Sequence, residues 1–401
     1  MRKLIQALAA SVVALGVSGA APDSEAQAQG TVKIGLILPF SGQFADAATQ
    51  MDNAIRLWVK QNGESFAGKK LEFIRKDSGG PAPDVAKRLA QELVVRDNVD
   101  ILAGFVLTPN AMAAGDVSQQ AKKFMVVMNA ATSIITTKSE YMVRTSLTTP
   151  QLNGTMGTWA VNKLGIKKVY SMVSDFGPGI DAENAFIGAF KAAGGEVIGQ
   201  VKFPLANPDF SAFVQRAKDL NPEAIYIWVP GGAQPGAMGK ALAERGIDAR
   251  KTKVLGQLEL TDPNAIKSMG DAALGMIVSS HYDAAHDTAK NKAFVAAYEA
   301  DYKRRPDYFS IGGWDGMHLI AEVLKKTNGN TDAGVMVAAA KGMAWESPRG
   351  PISIDPETRD IIQNVYMRRT EKKGDALENA LFDTIPNVKD PVKEAMKAAK
   401  K

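Results

Sequence analysis

The chain has 401 residues, with 48 basic and 43 acidic side chains and a formal net charge of +5. The basic residues are spread along the chain, which argues against a nucleic-acid-binding function. The chain holds no cysteine, which excludes disulfides and a lipid-attachment cysteine. Because its length exceeds what one hydrophobic core usually supports, we expect two lobes.

The N-terminal segment has the pattern of an export signal. Two basic residues precede the nearly continuous apolar and small run Leu4–Ala21. Ala26–Ala28 is an A-x-A cleavage site, and cleavage after Ala20 would also fit. The alternative is an uncleaved membrane anchor, which the small residues and the cleavage site disfavour. We therefore predict a periplasmic protein from which the signal peptide, residues 1–28, is removed.

The first half of the remaining chain alternates short apolar runs with segments of helical period. The helix after the first strand places Met51, Ala54, Ile55 and Trp58 on one face, and the next helix is Asp84–Arg96. This alternation is typical of βα units wound into a parallel sheet. The predicted strands are Val32–Leu38, Leu71–Arg75, Ile101–Phe105 and Phe124–Met128.

The same alternation begins again near residue 169, and further elements follow it. One predicted helix places Ala182, Phe186 and Phe190 on a single stripe, and another begins near Asp209. The lysines between residues 389 and 401 are predicted to lie on a solvated terminal helix. The other predicted elements are strands Val169–Val173, Val197–Phe203, Ala224–Val229 and Leu274–Ser280, helices Asn291–Lys303 and Gly313–Lys325, and strands near Pro351 and Asn364.

Two such halves predict an α/β fold of two doubly wound, Rossmann-like lobes joined by a multi-strand hinge. Sheets of this kind bind ligands at the carboxyl ends of their strands, so we expect the site in a cleft between the lobes. We predict that residues 29–148 and 280–354 form the first lobe. Residues 149–279 and 355–401 are predicted to form the second.

Motifs for catalysis, metals and cofactors are scarce. The three histidines, His281, His286 and His318, do not have the spacing of a helical zinc site, and we interpret them as surface or hinge residues. Neither a G-x-S-x-G elbow nor a G-x-x-x-x-G-K-[ST] loop occurs. Gly177–Ala182 fits G-x-G-x-x-A, but Glu196 lies before the second strand rather than at its end. We predict a non-enzymatic protein without a cofactor or metal.

Several short blocks along the chain resemble one known family. They are Val32–Gly42, Asn129–Thr132, Val143–Ser146, Ser174–Gly179, Asn207–Phe210, Gly312–Met317 and Ser347–Pro351. In this order and spacing they resemble the type I periplasmic solute-binding proteins of ABC importers, in particular the branched-chain amino-acid-binding (Leu/Ile/Val) family. The resemblance covers nearly all of the mature chain.

The resemblance implies a function as well as a fold. It implies a type I periplasmic binding protein that captures a small carboxylate ligand and delivers it to an ABC permease in the inner membrane. The ligand would be a branched-chain or other amino acid, or an aromatic acid. We expect a monomer with no nucleic-acid partner. The alternative is a ligand-sensing receptor domain for a signalling partner, because this fold serves both roles; a membrane span or output module would favour it.

The resemblance places the ligand carboxylate at two turns of the first lobe. These turns hold Thr108 in one case and Ala130, Ala131 and Thr132 in the other. Both lead into helices, whose N-termini offer free N–H groups and a positive dipole end to an anion. The alternative is that the two threonines only cap their helices. Ser41 has the same two interpretations.

The resemblance also implies that Phe176, Gly231 and Glu259 of the second lobe close over the ligand, with Tyr282 at a lobe crossing. Phe176 stands where many family members carry tyrosine, which favours an apolar partner. Ala47 stands where the resemblance would allow a large aromatic residue. Glu259 is not in clean register with the acid that contacts the ammonium of amino-acid ligands, and a buried ammonium needs an anionic or hydrogen-bonding partner.

An aromatic acid would need the same carboxylate site, extra room and apolar walls. Phe40, Phe44, Phe105 and Phe176 are candidates for these walls. For each of them taken singly, packing in the core is the favoured interpretation. The amino-acid and aromatic alternatives therefore both stay open at this point.

Overall fold

The structure, a computed structural model, describes residues 30–206 and 208–399. The predicted export signal lies outside the described residues. Two β-sheets form the framework, one of six strands and one of nine, and helices pack against both. None of the helices within these two ranges is long and apolar enough to cross a membrane.

The first sheet is built from the N-terminal part of the chain. All of its strands are parallel except the short second one, which pairs antiparallel at the edge. The face of the first helix that was predicted to be apolar is buried, which confirms the helical period. The elements are β1 (Thr31–Leu38), α1 (Ala45–Asn62), β2 (Ser65–Phe66), β3 (Lys69–Asp77), α2 (Pro83–Val95), β4 (Ile101–Gly104), α3 (Thr108–Ala121), β5 (Phe124–Val127) and β6 (Met142–Arg144), with spatial order β2-β3-β1-β4-β5-β6.

The second sheet begins after the chain crosses to the other lobe. Its parallel part has the order β11-β10-β9-β7-β8, which is again a doubly wound arrangement. The elements are α4 (Thr149–Leu164), β7 (Lys168–Ser174), α5 (Gly177–Ala192), β8 (Glu196–Phe203), α6 (Phe210–Asp219), β9 (Ala224–Trp228), α7 (Gln234–Glu244), β10 (Lys253–Gln257), α8 (Pro263–Met269) and β11 (Ile277–Ser280).

Three helices then return to the first lobe. They are α9 (Ala289–Tyr302), α10 (Tyr308–Lys326) and α11 (Ala333–Ala340). Helix α10 packs along α1, and two adjacent glycines permit this close approach. A Cβ atom on Gly312 would lie 2.0 Å from the Met128 carbonyl oxygen, and one on Gly313 would lie 2.4 Å from that of Met51. A larger residue at position 312 would push α10 away from the end of β5, and one at position 313 would push it away from α1.

The last strands extend the second sheet in antiparallel fashion. They are β12 (Ala344–Ser347), β13 (Gly350–Ile354), β14 (Ile361–Lys373) and β15 (Ala376–Val388), and α12 (Pro391–Ala398) packs against α4. This corrects the prediction that the first lobe includes residues up to 354. The connection between β13 and β14 is short, so the two strands pair with each other, and β14 in turn pairs with β11 of the second sheet.

The predicted fold class is confirmed. The chain forms an α/β protein of two lobes, each built on a largely parallel, doubly wound sheet. It passes between the lobes three times, after β6, after β11 and after α11. The connections are therefore multiple, as a multi-strand hinge requires.

Candidate ligand-binding site

A cavity lies between the two lobes at the carboxyl ends of their parallel strands. About 440 Å³ there is not filled by protein atoms, and part of this space is open to solvent. This is the position where doubly wound sheets bind ligands. The first lobe lines it with Phe44, Val106, Leu107, Thr108, Asn129, Ala131, Tyr308 and Phe309, and the second with Phe176, Pro178, Trp228, Pro230, Gly231 and Glu259.

A larger groove of about 1870 Å³ lies elsewhere, on the second lobe between α4, α5, β15 and α12. It is open to solvent along the surface. None of the residues that the sequence analysis singled out as ligand contacts lines it. We therefore assign the candidate site to the smaller cavity between the lobes.

The two turns on the first lobe meet through their threonine side chains. The Oγ1 atoms of Thr108 and Thr132 lie 3.1 Å apart and share a hydrogen bond. Neither hydroxyl caps its helix, which removes the alternative that these side chains are only caps. The N–H groups of Ala131 and Thr132 have no acceptor among the described residues. Unpaired donors of this kind are what an anion requires.

Ala130 departs from the predicted role. Its N–H donates to the Phe105 carbonyl oxygen at 2.9 Å, and the residue is buried in the core of the first lobe. This N–H is therefore not free to bind a ligand. Phe105 itself lies in the same core, with a φ of 65°, whereas Phe44 and Phe176 line the cavity and Phe40 does not.

A buried cation supports the second turn from behind. Arg144 Nη1 donates to the carbonyl oxygens of Ala130 and Thr132, at 3.1 and 2.8 Å. Its Nη2 lies 2.7 Å from Asp360 Oδ1, and Lys393 Nζ contacts the other oxygen of that carboxylate. The carboxyl groups of Asp181 and Asp390 also lie close to these cations, so the network fixes the position of the turn and adds no net positive charge. It also keeps two carbonyl groups of the turn engaged behind it.

The predicted solvated terminal helix forms as α12, but Lys393 departs from the prediction. Its side chain is buried against Asp360, and this burial lowers the pKa of the ammonium group. Arg144 belongs to a sequence block that the resemblance singled out, but its role was not predicted. The sequence signal for this role was an arginine at the end of a short apolar strand, because an arginine that is buried there needs an anionic partner.

The wall from the second lobe is mostly apolar and closely fitted. Phe176 precedes α5, and Trp228 ends β9. Gly231 lies against Tyr308 of the other lobe, and a Cβ atom at this position would be 2.4 Å from Tyr308 Oη. Only glycine allows the two lobes to approach so closely here. Ser133 N–H also donates across the lobes to Asp181 Oδ2, at 3.2 Å.

Glu259 is the one carboxyl group in the cavity lining. Its Oε1 accepts a hydrogen bond from Gln257 Nε2 at 2.8 Å. Its Oε2 is buried and has no hydrogen-bond partner among the described residues. Burial raises the pKa of this carboxyl group to about 8. At neutral pH the side chain is therefore mostly a neutral acid.

Three further predicted contacts, Thr132, Ser41 and Tyr282, do not line the cavity, although the Thr132 hydroxyl bonds to that of Thr108, which does. Ser41 is exposed, and its N–H donates to Asp77 Oδ1 at 3.3 Å. Tyr282 is buried and lines a separate, smaller cavity that Asp307 and Arg368 also line. Of the nine predicted ligand contacts, the structure brings five into the lining: Thr108, Ala131, Phe176, Gly231 and Glu259.

A model of the periplasmic binding protein family matches residues 31–375. The chain belongs to the periplasmic binding protein family. Leu/Ile/Val-binding protein homolog 6 of Brucella abortus (strain 2308) is 41% identical over 375 residues, which cover 93% of this chain and 94% of the relative. This likeness confirms the predicted branch of the family.

Two solved periplasmic binding proteins come from Rhodopseudomonas palustris. The solute-binding protein of an ABC transporter from strain BisB5, in complex with 3,4-dihydroxybenzoic acid, is 51% identical, with a TM-score of 0.87 and coverage of 90% of this chain and 99% of that chain. The one from strain HaA2, in complex with p-hydroxybenzoic acid, is 40% identical with the same TM-score and coverage. Both relatives are solute-binding proteins of ABC transporters, which confirms the predicted class of binding protein.

Proposed function

We propose that this periplasmic binding protein captures a small aromatic carboxylate in the inter-lobe cavity and delivers it to an ABC permease. The observation that carries the proposal is the combination of free N–H donors at the Ala131–Thr132 turn with aromatic walls. These walls are Phe44 and Phe309 from one lobe and Phe176 and Trp228 from the other. The two solved relatives with hydroxylated benzoic acids support the same ligand class.

The ligand would bridge the two lobes. Its carboxylate would accept hydrogen bonds from the N–H groups of Ala131 and Thr132 and from the neighbouring Thr108 and Thr132 hydroxyls. Arg144 holds the turn in position by donating to the carbonyl oxygens of Ala130 and Thr132. The aromatic ring would lie between Phe44 and Phe176, where its burial replaces contact with water. A ligand that contacts both lobes favours the closed arrangement, and this is the form that the permease would recognise.

A branched-chain amino acid is the second candidate, because the Brucella relative carries the name of a Leu/Ile/Val-binding protein homolog. Its ammonium group would need an anionic or hydrogen-bonding partner in the cavity. Glu259 is the carboxyl group available in the lining, but its raised pKa keeps it largely neutral at pH 7. The aromatic carboxylate fits this environment better, since it brings no second charge.

A thermal-shift screen separates these candidates. We would test benzoate, 4-hydroxybenzoate, 3,4-dihydroxybenzoate, leucine, isoleucine and valine. A ligand at about 100 times its dissociation constant adds about 2.7 kcal/mol to stability, so a true ligand is readily detected. We expect the benzoic acids to raise the melting temperature. A response to the aliphatic amino acids alone would contradict the aromatic assignment, and no response to any carboxylate would contradict the whole proposal.

Replacing Thr132 with valine should weaken binding of 4-hydroxybenzoate by about ten- to a hundredfold. The substitution keeps the shape but removes a hydroxyl beside the carboxylate, and losing a hydrogen bond to a charged group costs on the order of 1.5–3 kcal/mol. Since Thr132 does not cap its helix through its side chain, the melting temperature without ligand should change little. Calorimetric titration measures the affinity.

The matched control is Thr137→Val at the end of the short 3-10 helix Ser133–Thr137, which follows Thr132. The Thr137 hydroxyl donates to the Ile134 carbonyl oxygen at 2.6 Å, whereas the Thr132 hydroxyl bonds to Thr108 in the cavity lining. Loss of the Thr137 hydroxyl should leave the affinity unchanged. Equal affinities for Thr132→Val and the wild type would show that the carboxylate does not lie at this turn.

A further inference from the structure

We infer that Glu259 recognises a hydroxyl group on the aromatic ring of the ligand, and that it does so as a neutral acid that donates a hydrogen bond. The inference rests on the proposed function, because it assigns the opposite end of the same ligand. The carboxylate would bind the first lobe, and the ring hydroxyl would meet Glu259 on the second. Glu259 thereby becomes a residue that determines specificity between hydroxylated and unsubstituted benzoic acids.

A chain of hydrogen bonds fixes which oxygen of Glu259 carries the proton. The Thr149 carbonyl oxygen can only accept, so the Asn153 amide turns its Nδ2 toward it, at 2.8 Å. The same Nδ2 donates to Gln257 Oε1 at 2.5 Å. Gln257 must therefore present its Nε2 to Glu259, where it donates to Oε1. With Oε1 accepting, the proton of the neutral acid lies on Oε2.

The Tyr226 hydroxyl completes this chain of hydrogen bonds by donating to Asn153 Oδ1 at 2.6 Å. Every member other than Glu259 Oε2 thus has its partner. A buried polar atom without a partner is costly, so Oε2 favours a ligand group that accepts its proton. A ring hydroxyl on a ligand that bridges the cavity satisfies this requirement.

Two other side chains in the cavity lining favour the same group. The Nε1 atom of Trp228 and the hydroxyl of Tyr308 are buried without a partner among the described residues. An indole N–H can only donate, so its partner must be an acceptor. A ring hydroxyl both accepts and donates. An ammonium group has no lone pair and could satisfy neither Trp228 nor the proton on Glu259.

The charges around Glu259 agree with a neutral acid. The titratable groups nearest to it are Asp262 before α8, Tyr226 on β9 and Tyr308 at the start of α10, and α4 contributes only the uncharged Asn153. None of these groups is a cation that would stabilise a carboxylate. Burial, with the repulsion from Asp262, raises the pKa of Glu259 to about 8.

The test compares 4-hydroxybenzoate with benzoate by calorimetric titration of the wild type, Glu259→Met and Glu259→Gln. We expect the wild type to prefer 4-hydroxybenzoate by about ten- to a hundredfold, because benzoate leaves the polar atoms of the second lobe unpaired. Glu259→Met has similar length but no donor, so it should lose most of this preference. Glu259→Gln keeps a donor at the same place and should retain part of it.

The pH dependence provides a second measurement. Above pH 8 the wild type must take up a proton to bind, so its affinity for 4-hydroxybenzoate should fall by up to about tenfold per pH unit. Glu259→Gln cannot ionise here, and any fall that it shows reports the ionisation of the ligand itself. Glu196→Gln, an exposed Glu→Gln change on the same lobe, should follow the wild type.

Each result has a distinct meaning. Equal affinity of the wild type for both ligands would overturn the role of Glu259 and leave the proposed function intact. A loss in Glu259→Gln as large as that in Glu259→Met would also overturn it, since a charged acid would then be required. If neither benzoic acid binds to the wild type, the proposed function and this inference both fail.

Discussion

Replacing Asp360 with asparagine should lower the free energy of unfolding by about 3–5 kcal/mol. Asp360 is 1% exposed and pairs with two buried cations, Arg144 and Lys393. Asparagine keeps the size of the side chain but removes the charge that both cations need. Each would then be left in the interior without its anion. Urea denaturation of the ligand-free protein measures the effect.

A surface pair serves as the control for this prediction. Lys60 Nζ and Asp301 Oδ2 lie 2.7 Å apart, with the lysine side chain 66% exposed. Asp301→Asn should cost less than about 1 kcal/mol, because water already solvates both groups. If Asp360→Asn proved as mild as this control, the network behind the anion turn would contribute little to stability. We also expect Asp360→Asn to lower the affinity for 4-hydroxybenzoate, because the turn would lose the network that holds it in position.

Replacing Glu259 with glutamine should stabilise the ligand-free protein at neutral pH. The unfolded chain holds this carboxyl group at its ordinary pKa of 4.5, whereas burial raises the pKa to about 8 in the folded protein. As pH rises from 4.5 to 8, the unfolded state loses the proton while the folded state keeps it, so stability falls. Glutamine avoids this cost, which amounts to about 3 kcal/mol at pH 7.

The shape of the pH profile tests the cause. The difference between Glu259→Gln and the wild type should vanish near pH 4, grow through pH 7 and level off above pH 8. Denaturation at a series of pH values measures it, with Glu196→Gln as the exposed control. A difference that is constant with pH would show that the effect comes from packing and not from ionisation. The wild type would thus keep a costly group that the ligand needs, as binding sites often do.

The sequence predicts the parallel strands well because they are buried on both faces. The segments Ile101–Gly104 and Phe124–Val127 are entirely buried, and they read as continuous apolar runs. Strand β15 gives no such signal, since all but one of its residues are at least partly exposed, it mixes polar with apolar residues, and among the described strands it pairs only with β14. The Gly374–Asp375 turn between the two strands was the local hairpin signal that could have revealed it.

The residues of the site also differ in whether local sequence or distant parts of the chain place them there. Thr108 and Ala131 follow from helix starts that a few neighbouring residues specify. The N–H of Ala130 was misassigned because its acceptor, Phe105, lies on the preceding strand's turn. The Tyr308–Phe309 wall comes from a helix roughly two hundred residues further along the chain. No local pattern indicates that this helix reaches the cavity.

The packing of α10 against α1 has a consequence for biosynthesis. Helix α1 ends at Asn62, and the helix that covers it ends at Lys326. At about 5–20 residues per second, roughly 15–50 seconds of translation separate the two. Throughout this interval the face of α1 that α10 covers, with Met51 and Trp58, lacks its main partner, although Trp58 can already pack against Phe66 of β2. The first lobe therefore cannot complete its core on the ribosome until most of the protein has been made, and this face stays available to chaperones.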